Sequence, residues 1–386
     1  MSSYYDTVRY PSVFLQRAKD YANFVTLSQS PGFQSGASNW DVRYLFASRV
    51  ICTAPEWHLL FLDGFFPEHL MEVHPCIQDL ISGPLDLQLA ELWEPQIVQL
   101  CQPDSLGYVW AALAPFVRAE RTRAVERGNS EEGDSTEGEL PSTPERPRRE
   151  RTQAVYDHFV PSDSFVIGSS SPNRPPTSSG ASEHSIGYRG KVYAPLLEDA
   201  TIRLASSFVR CVLNYAQPIN KAGPFVHFRD VRLTHRYQTS IENVTVEAID
   251  DGGLQLLGRN GALLQVALLE GKRAFQTIVD GKPRISDELL AQLVGEALAL
   301  SQSETSLALS TDVMSILAVS DCVKFFRFKF SPEFIQNYET VPMLDNMEDN
   351  FLQVDSTEWL SIKTPDHREL IVSHLLAIIS WADTLV

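Results

Sequence analysis

A carboxylate and an ammonium group stand two positions apart at the end of a long apolar segment. Residues 262–275 are largely apolar until the chain reaches Glu270 and Lys272. Side chains two positions apart in a β-strand point to the same face of the sheet, so these two groups would lie side by side. Burying charged groups is costly unless they have partners or a role. We therefore start from the chemistry that a paired acid and lysine can perform.

A predicted hairpin joins this segment to the apolar run before it. The sequence Gly-Arg-Asn-Gly at residues 258–261 is a turn signal between two strand-like segments. A hairpin that turns at its two central residues pairs Leu257 with Ala262 and places residue 249 opposite Glu270. The register of this hairpin decides which acid lies beside Glu270.

Several acids lie close to residue 249. The double glycine at residues 252–253 predicts a β-bulge, which shifts the register by one and brings Asp250 beside Glu270. The same pairing places Glu247 opposite Lys272. The alternative is a plain loop at the Asp-Asp-Gly-Gly sequence, in which the acids do not converge.

Crowded carboxylates favour a divalent cation as their partner. Like charges raise each other's pKa unless a cation neutralises them, and hard oxygen ligands suit Mg²⁺ or Mn²⁺. The predicted ligands are Asp250, Glu270 and the carbonyl of Gly271, with Asp251 and Glu247 as further candidates. A metal ion at this position would activate a bound water and polarise a phosphodiester.

Lys272 would place a positive charge beside this metal site. It would orient the attacking water or stabilise the negative charge that develops during phosphodiester hydrolysis. A second acid-x-lysine sequence at residues 280–282 precedes Pro283 and is typical of a surface turn. We therefore predict that Glu270 and Lys272 are the catalytic pair.

The elements that must position these residues alternate between helix and strand. An apolar stripe at helical spacing covers residues 196–213, and Ser286 is the predicted N-cap of a later helix that carries Gln292. This order predicts an α/β (α+β) fold with a mixed sheet flanked by helices. Strand-like segments cover residues 225–237, 244–257, 262–275, 314–319 and 322–330, and a last helix covers residues 369–384.

Taken together, these features resemble the PD-(D/E)xK nuclease superfamily. The segments LLEGKRAFQ and GKPRISDELLAQLVGEALAL are similar to PD-(D/E)xK nuclease-like domains of fungal proteins. The resemblance covers residues 190–386 and implies a restriction-endonuclease-like core and a metal-dependent nuclease, with DNA as the expected substrate. It also implies that Glu270 and Lys272 form the acid-x-lysine signature, that Gln292 is the glutamine of the following helix and that Glu198 matches an acid of the preceding helix.

The chain departs from the family pattern around the first acid. No proline precedes it, and the acid itself is a choice among Asp250, Asp251, Glu247 and Glu242. Gln292 has a second interpretation as a polar residue at the edge of a helix face.

A rival hypothesis follows from these departures, namely a catalytically inactive nuclease-fold scaffold that binds protein partners. An open cleft that holds the acids and Lys272 would favour the enzyme. A salt bridge between Glu270 and Lys272 that is buried under a helix would favour the scaffold.

Composition divides the chain into three parts. Residues 1–118 form a mainly helical region in which we find no chemistry, and residues 189–386 form the nuclease-like domain. Residues 119–188 are rich in Ser, Pro, Glu and Arg and are predicted to be a disordered linker, because they cannot bury enough apolar area to offset their ordering entropy. An arginine cluster at residues 146–151 is either a solvated part of this linker or a nuclear import or nucleic-acid contact signal.

The charge distribution bears on the partners. The net charge is −17, and the acids concentrate in residues 1–110 and 331–386, whereas residues 221–330 carry 12 basic and 13 acidic side chains. Nucleic acid is therefore an expected partner of the central region alone, and the acidic ends and linker favour protein partners. Because we find no apolar run long enough for a membrane span, no secretory signal and five scattered cysteines, we expect an intracellular protein in the nucleus or cytoplasm, with reduced, mostly buried thiols.

Overall fold

The computed structural model describes residues 3–21, 35–68, 73–84, 88–131, 196–239, 245–258, 261–303, 307–339 and 350–386. Most of the predicted linker, including its arginine cluster at 146–151, lies outside these ranges, as does Glu242.

The described N-terminal residues form six helices and one short strand. Turns of 3₁₀ helix accompany them at Lys19–Tyr21, Ala37–Asn39 and Leu60–Phe65. The elements are α1 (Tyr4–Thr7), α2 (Pro11–Ala18), α3 (Val42–Ala47), β1 (Val50–Cys52), α4 (Pro75–Ser82), α5 (Glu94–Leu100) and α6 (Asp104–Glu131).

The second half contains the remaining helices and most of the strands. Its described elements, in chain order, are α7 (Glu198–Ala216), β2 (Val226–Arg229), β3 (Thr234–Gln238), β4 (Thr245–Ile249), β5 (Gly252–Leu257), β6 (Leu263–Lys272), β7 (Thr277–Val279), β8 (Lys282–Arg284), α8 (Asp287–Ser301), β9 (Leu307–Ala308), β10 (Val313–Val319), β11 (Cys322–Lys329), α9 (Pro332–Asn337), β12 (Leu352–Ser356), β13 (Leu360–Ser361) and α10 (Pro365–Thr384).

One mixed sheet organises the protein. Its strands follow the order β1-β12-β11-β10-β6-β5-β2, and β9 and β13 pair with β6 and β11. The neighbours β6 and β10 are parallel, as are β1 and β12. The fold is therefore mixed α/β with a mixed sheet flanked by helices, as predicted.

Two predicted strands each divide into two shorter ones. The first of them becomes β2 and β3, and the second becomes β4 and β5. Only β2 and β5 join the main sheet, because β3 and β4 pair with each other as a separate hairpin. Because β4 lies outside the main sheet, Glu247 on this strand and Asp250 just after it do not take the positions that we predicted for them.

Each face of the sheet carries a hydrophobic core that combines residues from both halves of the chain. Leu269 and Ile316 point to the face on which α4, α6, α7 and α10 pack. Leu268 and Leu317 point to the opposite face, on which α8 and α3 pack. Burial on both faces explains why the central strands are apolar without alternation.

The N-terminal region is part of this architecture. Its strand β1 pairs with β12 at one edge of the sheet, and α6 packs against α7. The predicted boundary at residue 118 falls inside α6, and residues 119–131, which we assigned to the disordered linker, belong to that helix.

Helix α8 is buried on all sides. Its predicted N-cap is confirmed, because the Leu289 N–H donates to Oγ of Ser286 at 3.2 Å. Residues 290–300 are all buried, because the sheet covers one side of the helix and the β3–β4 hairpin covers another. The polar side chains of Gln292 and Glu296 therefore lie inside the protein, where they require partners.

Candidate active site

The register of the β5–β6 hairpin near Glu270 differs by two residues from that of a plain hairpin in which Leu257 pairs with Ala262. Leu257 pairs with Leu263, which accounts for the first shift. The second arises because Val266 is an extra residue in β6, so that Gly252 pairs with Leu269. The bulge thus lies on β6 and not at the double glycine, and the acid that precedes Gly252 comes level with Glu270.

That acid is Asp251. Its Oδ2 accepts the backbone N–H of Gly271 at 3.0 Å, and its Oδ1 lies 3.1 Å from a guanidinium nitrogen of Arg232. The side chain is buried. Among Asp250, Asp251 and Glu247, the candidates for the first acid that the structure describes, Asp251 is therefore the one that lies at the Glu270-Gly271-Lys272 segment.

Three predicted residues meet directly at the carboxyl end of β6. Nζ of Lys272 donates to Oε1 of Glu270 at 2.5 Å, and Nε2 of Gln292 donates to the same oxygen at 2.5 Å. Glu270 is fully buried and Lys272 is 8% exposed. Gln292 is thus a hydrogen-bond partner of the candidate catalytic acid and not a polar residue at a helix edge.

Glu296 is a further member of this cluster that we did not predict. It lies one helical turn after Gln292, and its Oε1 accepts from Nε2 of Gln292 at 2.8 Å. The sequence contained a signal for it, since residues four apart share a helix face and Glu296 is an acid within an apolar run. The amide of Gln292 therefore bridges two buried carboxylates, Glu270 and Glu296.

Two glycines allow the backbone of the site to pack closely. A Cβ atom at Gly271 would lie 2.5 Å from Cγ1 of Ile202 on α7, and one at Gly253 would lie 2.4 Å from the carbonyl oxygen of Ala267. Glycine therefore stands between Glu270 and Lys272 because α7 crosses β6 there.

The acids of the cluster hold their protons more tightly than ordinary carboxyl groups. Burial raises the pKa of Glu270 to about 7, against the opposing effect of the Lys272 ammonium. The pKa of Glu296 lies well above its usual value, mainly because the group is buried and to a smaller extent because of the charge of Glu270. Burial also raises the pKa of Asp251. The cause in each case is the removal of a negative charge from water.

Asp250, the acid that we preferred from the sequence, belongs to a different cluster. Its carboxylate accepts two hydrogen bonds from the Arg229 guanidinium, at 2.6 and 3.0 Å, and one from the Leu233 N–H at 3.0 Å. Nε2 of His235 lies 2.9 Å from its Oδ2. The predicted placement beside Glu270 is therefore wrong, because the register shift turns Asp250 toward β2 and β3.

Glu247 also lies away from the site. It is on β4, which pairs with β3, and its carboxylate accepts from Nε of Arg236 at 2.7 Å. The predicted position opposite Lys272 is wrong because β4 is not part of the main sheet.

The site is closed to large ligands. A cavity of about 10 Å³ borders Lys272, Phe275, Arg284 and Trp359, which is room for roughly one water molecule. On the side of Asp251, the partly exposed Arg232 pairs with the carboxylate. The open cleft that would favour the enzyme over the scaffold is absent from the described part of the chain around these residues.

The donor atoms at the site are of the kind that a hard divalent cation takes. Asp251 and Glu270 have carboxylate oxygens, and Gly271, between Glu270 and Lys272 in the chain, has a backbone carbonyl. Among the described residues, no group of three or more His, Cys, Asp or Glu side chains is arranged to hold a metal ion. Carboxylate oxygens such as these are the ligand type that Mg²⁺ prefers, and its protein sites often use one or two carboxylates and several waters.

No protein-family model, curated protein or solved structure matches the chain. None of the helices in the described ranges is long and apolar enough to span a membrane.

Proposed function

We propose that the protein hydrolyses phosphodiester bonds of nucleic acid, with DNA as the expected substrate, at a metal-dependent PD-(D/E)xK-type site in the nucleus or cytoplasm. The observation that carries this proposal is the meeting of Asp251, Glu270, Lys272 and Gln292 at the carboxyl end of β6. The order α7, β2, β5, β6, α8, β10 supports it, since a restriction-endonuclease-like core has a helix, three strands, a helix and a further strand.

The charge of the cluster also supports a cation as ligand. Asp251, Glu270 and Glu296 are buried, and the half-buried Glu198 acts electrostatically on Glu270. Lys272 pairs with Glu270, and Arg232 pairs with Asp251. Burial raises the pKa of the Asp251, Glu270 and Glu296 carboxyl groups, so that their ionisation is costly. A bound divalent cation would favour their ionised forms, and this is the role that the proposal assigns to it.

Each residue has a distinct role in this reaction. Asp251, Glu270 and the Gly271 carbonyl would hold Mg²⁺ or Mn²⁺, and the bound ion would supply Lewis-acid activation of water and phosphate. Lys272 borders the cavity that has room for about one water, which supports a role for its ammonium group in orienting the nucleophile and stabilising charge on the phosphate. Gln292 holds the carboxylate of Glu270 in place through its hydrogen bond.

A second candidate function is a catalytically inactive scaffold that binds protein partners through its acidic ends and linker. The observation that favours it is the closed site, in which the salt bridge between Glu270 and Lys272 lies beneath α8. For the nuclease to act, side chains such as Phe275 and Trp359 must move aside to admit a nucleotide. A scaffold requires no such movement.

Cleavage assays on the full chain separate the two functions. Single- and double-stranded DNA and RNA are incubated with the protein and Mg²⁺ or Mn²⁺, and the wild type is compared with Lys272→Met, which removes the charge and keeps most of the side-chain volume. We expect the variant to lose about 10²-fold or more of the activity, because it lacks a donor that acts on the transition state.

The matched control is Lys329→Ala, which removes an exposed lysine from β11, a strand that β10 separates from β6 in the sheet. It should retain wild-type activity. Equal cleavage by the wild type and Lys272→Met would refute the nuclease proposal, as would the absence of metal-dependent cleavage on all four substrates.

A further inference from the structure

Two cysteine thiols meet in the core between α4 and α7, away from the candidate active site. Sγ of Cys76 lies 3.7 Å from Sγ of Cys211, and the two residues are 135 positions apart in the chain. Cys76 is 2% exposed and Cys211 is fully buried. A disulfide bond has a sulfur separation of about 2.05 Å, so the two sulfur atoms, already in contact, would have to approach each other by about 1.6 Å to form one.

The surroundings of the two thiols are not equivalent. Cys76 lies in the first turn of α4 and directly follows the exposed residues His74 and Pro75. Backbone N–H groups at a helix start favour a thiolate. The thiol of Cys211 adds a hydrogen bond that lowers the pKa of Cys76, against the effect of burial, whereas the same contact raises the pKa of Cys211.

We propose that Cys76 and Cys211 are a peroxide-oxidisable dithiol, in which Cys76 reacts first and Cys211 resolves it to an intramolecular disulfide. The Cys76 thiolate attacks one oxygen of hydrogen peroxide, an S–O bond forms, the O–O bond breaks, and the leaving hydroxide takes up the thiol proton as water. Cys211 then attacks the sulfenic acid sulfur. The S–S bond forms as the S–O bond breaks, and the second hydroxide leaves as water with the Cys211 proton.

The bond would connect the two halves of the chain covalently. Cys76 is on α4 in the N-terminal region, and Cys211 is on α7, whose Ile202 packs against Gly271 of the candidate site. The closed loop would include α5, α6 and residues 132–195. Such a cross-link restricts the unfolded chain, so the oxidised protein should melt at a higher temperature than the reduced one. This inference does not depend on the proposed nuclease activity.

The test uses the full chain in its native state. The reduced protein is treated with hydrogen peroxide, remaining thiols are alkylated after denaturation, and non-reduced peptides are analysed by mass spectrometry. We expect one dominant cross-linked species that joins Cys76 to Cys211 and disappears on reduction. On a non-reducing denaturing gel the oxidised chain should migrate faster, because its loop makes it more compact.

Single substitutions provide the controls. Cys76→Ser and Cys211→Ser should each abolish the cross-link and the mobility shift, whereas Cys52→Ser, at a buried cysteine of the opposite core, should leave both unchanged. The wild-type measurement remains decisive if a variant fails to fold. Recovery of both cysteines as alkylated thiols after peroxide treatment would overturn the proposal, and so would a mixture of disulfides without preference for this pair.

Discussion

Asp250 and Asp251 are adjacent in the chain and both are buried, yet they belong to charge clusters of different composition. Asp250 has the Arg229 guanidinium, His235 and a backbone N–H as partners, so its charge is matched. Asp251 belongs to an acid-rich cluster, in which it interacts electrostatically with the buried acids Glu270 and Glu296. A carboxylate with matched partners is sufficient to explain a structural role, whereas our nuclease proposal assigns a divalent cation to the acid-rich cluster. The predictions below test this difference.

The largest expected effect is a loss of stability when the charge-matched cluster around Asp250 is broken. Asp250→Ala leaves the Arg229 guanidinium buried without its carboxylate, and we expect the free energy of unfolding to fall by about 3–5 kcal/mol. Denaturant unfolding of the two proteins measures the loss. Asp230→Ala is the control, because Asp230 pairs with Arg210 but is 73% exposed. That change should cost no more than about 1 kcal/mol. An equally small loss in Asp250→Ala would contradict the structural role.

The next effect concerns metal binding at the acid-rich cluster. We expect Mn²⁺ at one hundred times its dissociation constant to raise the free energy of unfolding by about 2.7 kcal/mol, because it binds the folded state. Asp251→Asn should abolish this increase. Asp312→Asn, at an acid that pairs with Arg327 at the opposite end of β10 from the residue paired with Lys272, should retain it. Thermal unfolding with and without Mn²⁺ is the measurement. If Asp251→Asn responds like the wild type, Asp251 is not a ligand.

Local sequence patterns were sufficient for the parts of the fold that depend on neighbours in the chain. Ser286 predicted the start of α8, and the apolar run predicted β6 with Glu270 and Lys272 on one face. These features follow from capping and from the two-residue period of a strand. These features did not depend on contacts between residues that are distant in the chain.

The parts that the sequence did not predict depend on pairing between strands. Val266 is an extra residue that no turn signal reveals, and it decides that Asp251 and not Asp250 reaches the site. Glu247 lies away from Lys272 for a similar reason. Its strand β4 pairs with β3 instead of with the main sheet. The pairing of β1 with β12 joins residues about 300 positions apart and has no local signature.

Lys324 is a third buried ionisable group, and it tests how burial of a side chain affects the pH dependence of stability. Lys324 is buried among the rings of Tyr5, Phe326 and Trp359, each within 6 Å, and it donates to the Thr357 carbonyl. Burial lowers the pKa of Lys324 from 10.5 to about 7. The unfolded chain therefore binds more protons between these two pH values, so stability should rise as pH increases from about 7, with a limiting slope of about 1.4 kcal/mol per pH unit.

This pH dependence can be measured between pH 7 and 9, below the range in which tyrosine side chains titrate. Lys324→Met, which keeps the chain length and removes the charge, should flatten the rise and stabilise the protein most at pH 7. Lys329→Met on the exposed side of the same strand should leave the slope unchanged. A wild-type slope in Lys324→Met would show that other groups cause the effect.

The smallest stability change is expected at the edge of the acid-rich cluster. Arg232 places a guanidinium nitrogen 3.1 Å from Oδ1 of Asp251, and its side chain is 33% exposed. A partly exposed ion pair contributes no more than about 1 kcal/mol, so Arg232→Ala should hardly change the stability of the metal-free protein. On the nuclease proposal, the same substitution removes a cation that would compete with the metal ion for Asp251. We therefore expect the affinity for Mn²⁺ to rise by about three- to tenfold, which corresponds to about 0.7–1.4 kcal/mol.

Arg236→Ala supplies the matched comparison, because Arg236 pairs with Glu247 on the separate β3–β4 hairpin. It removes the same charge from a nearby surface and should lower Mn²⁺ dissociation constants only slightly, through the long-range field that salt screens. Calorimetric titration of both variants at two salt concentrations distinguishes a local from a long-range effect. Equal gains in affinity in the two variants would show that Arg232 does not compete at Asp251, and a loss of affinity in Arg232→Ala would place Arg232 among the groups that hold the site together.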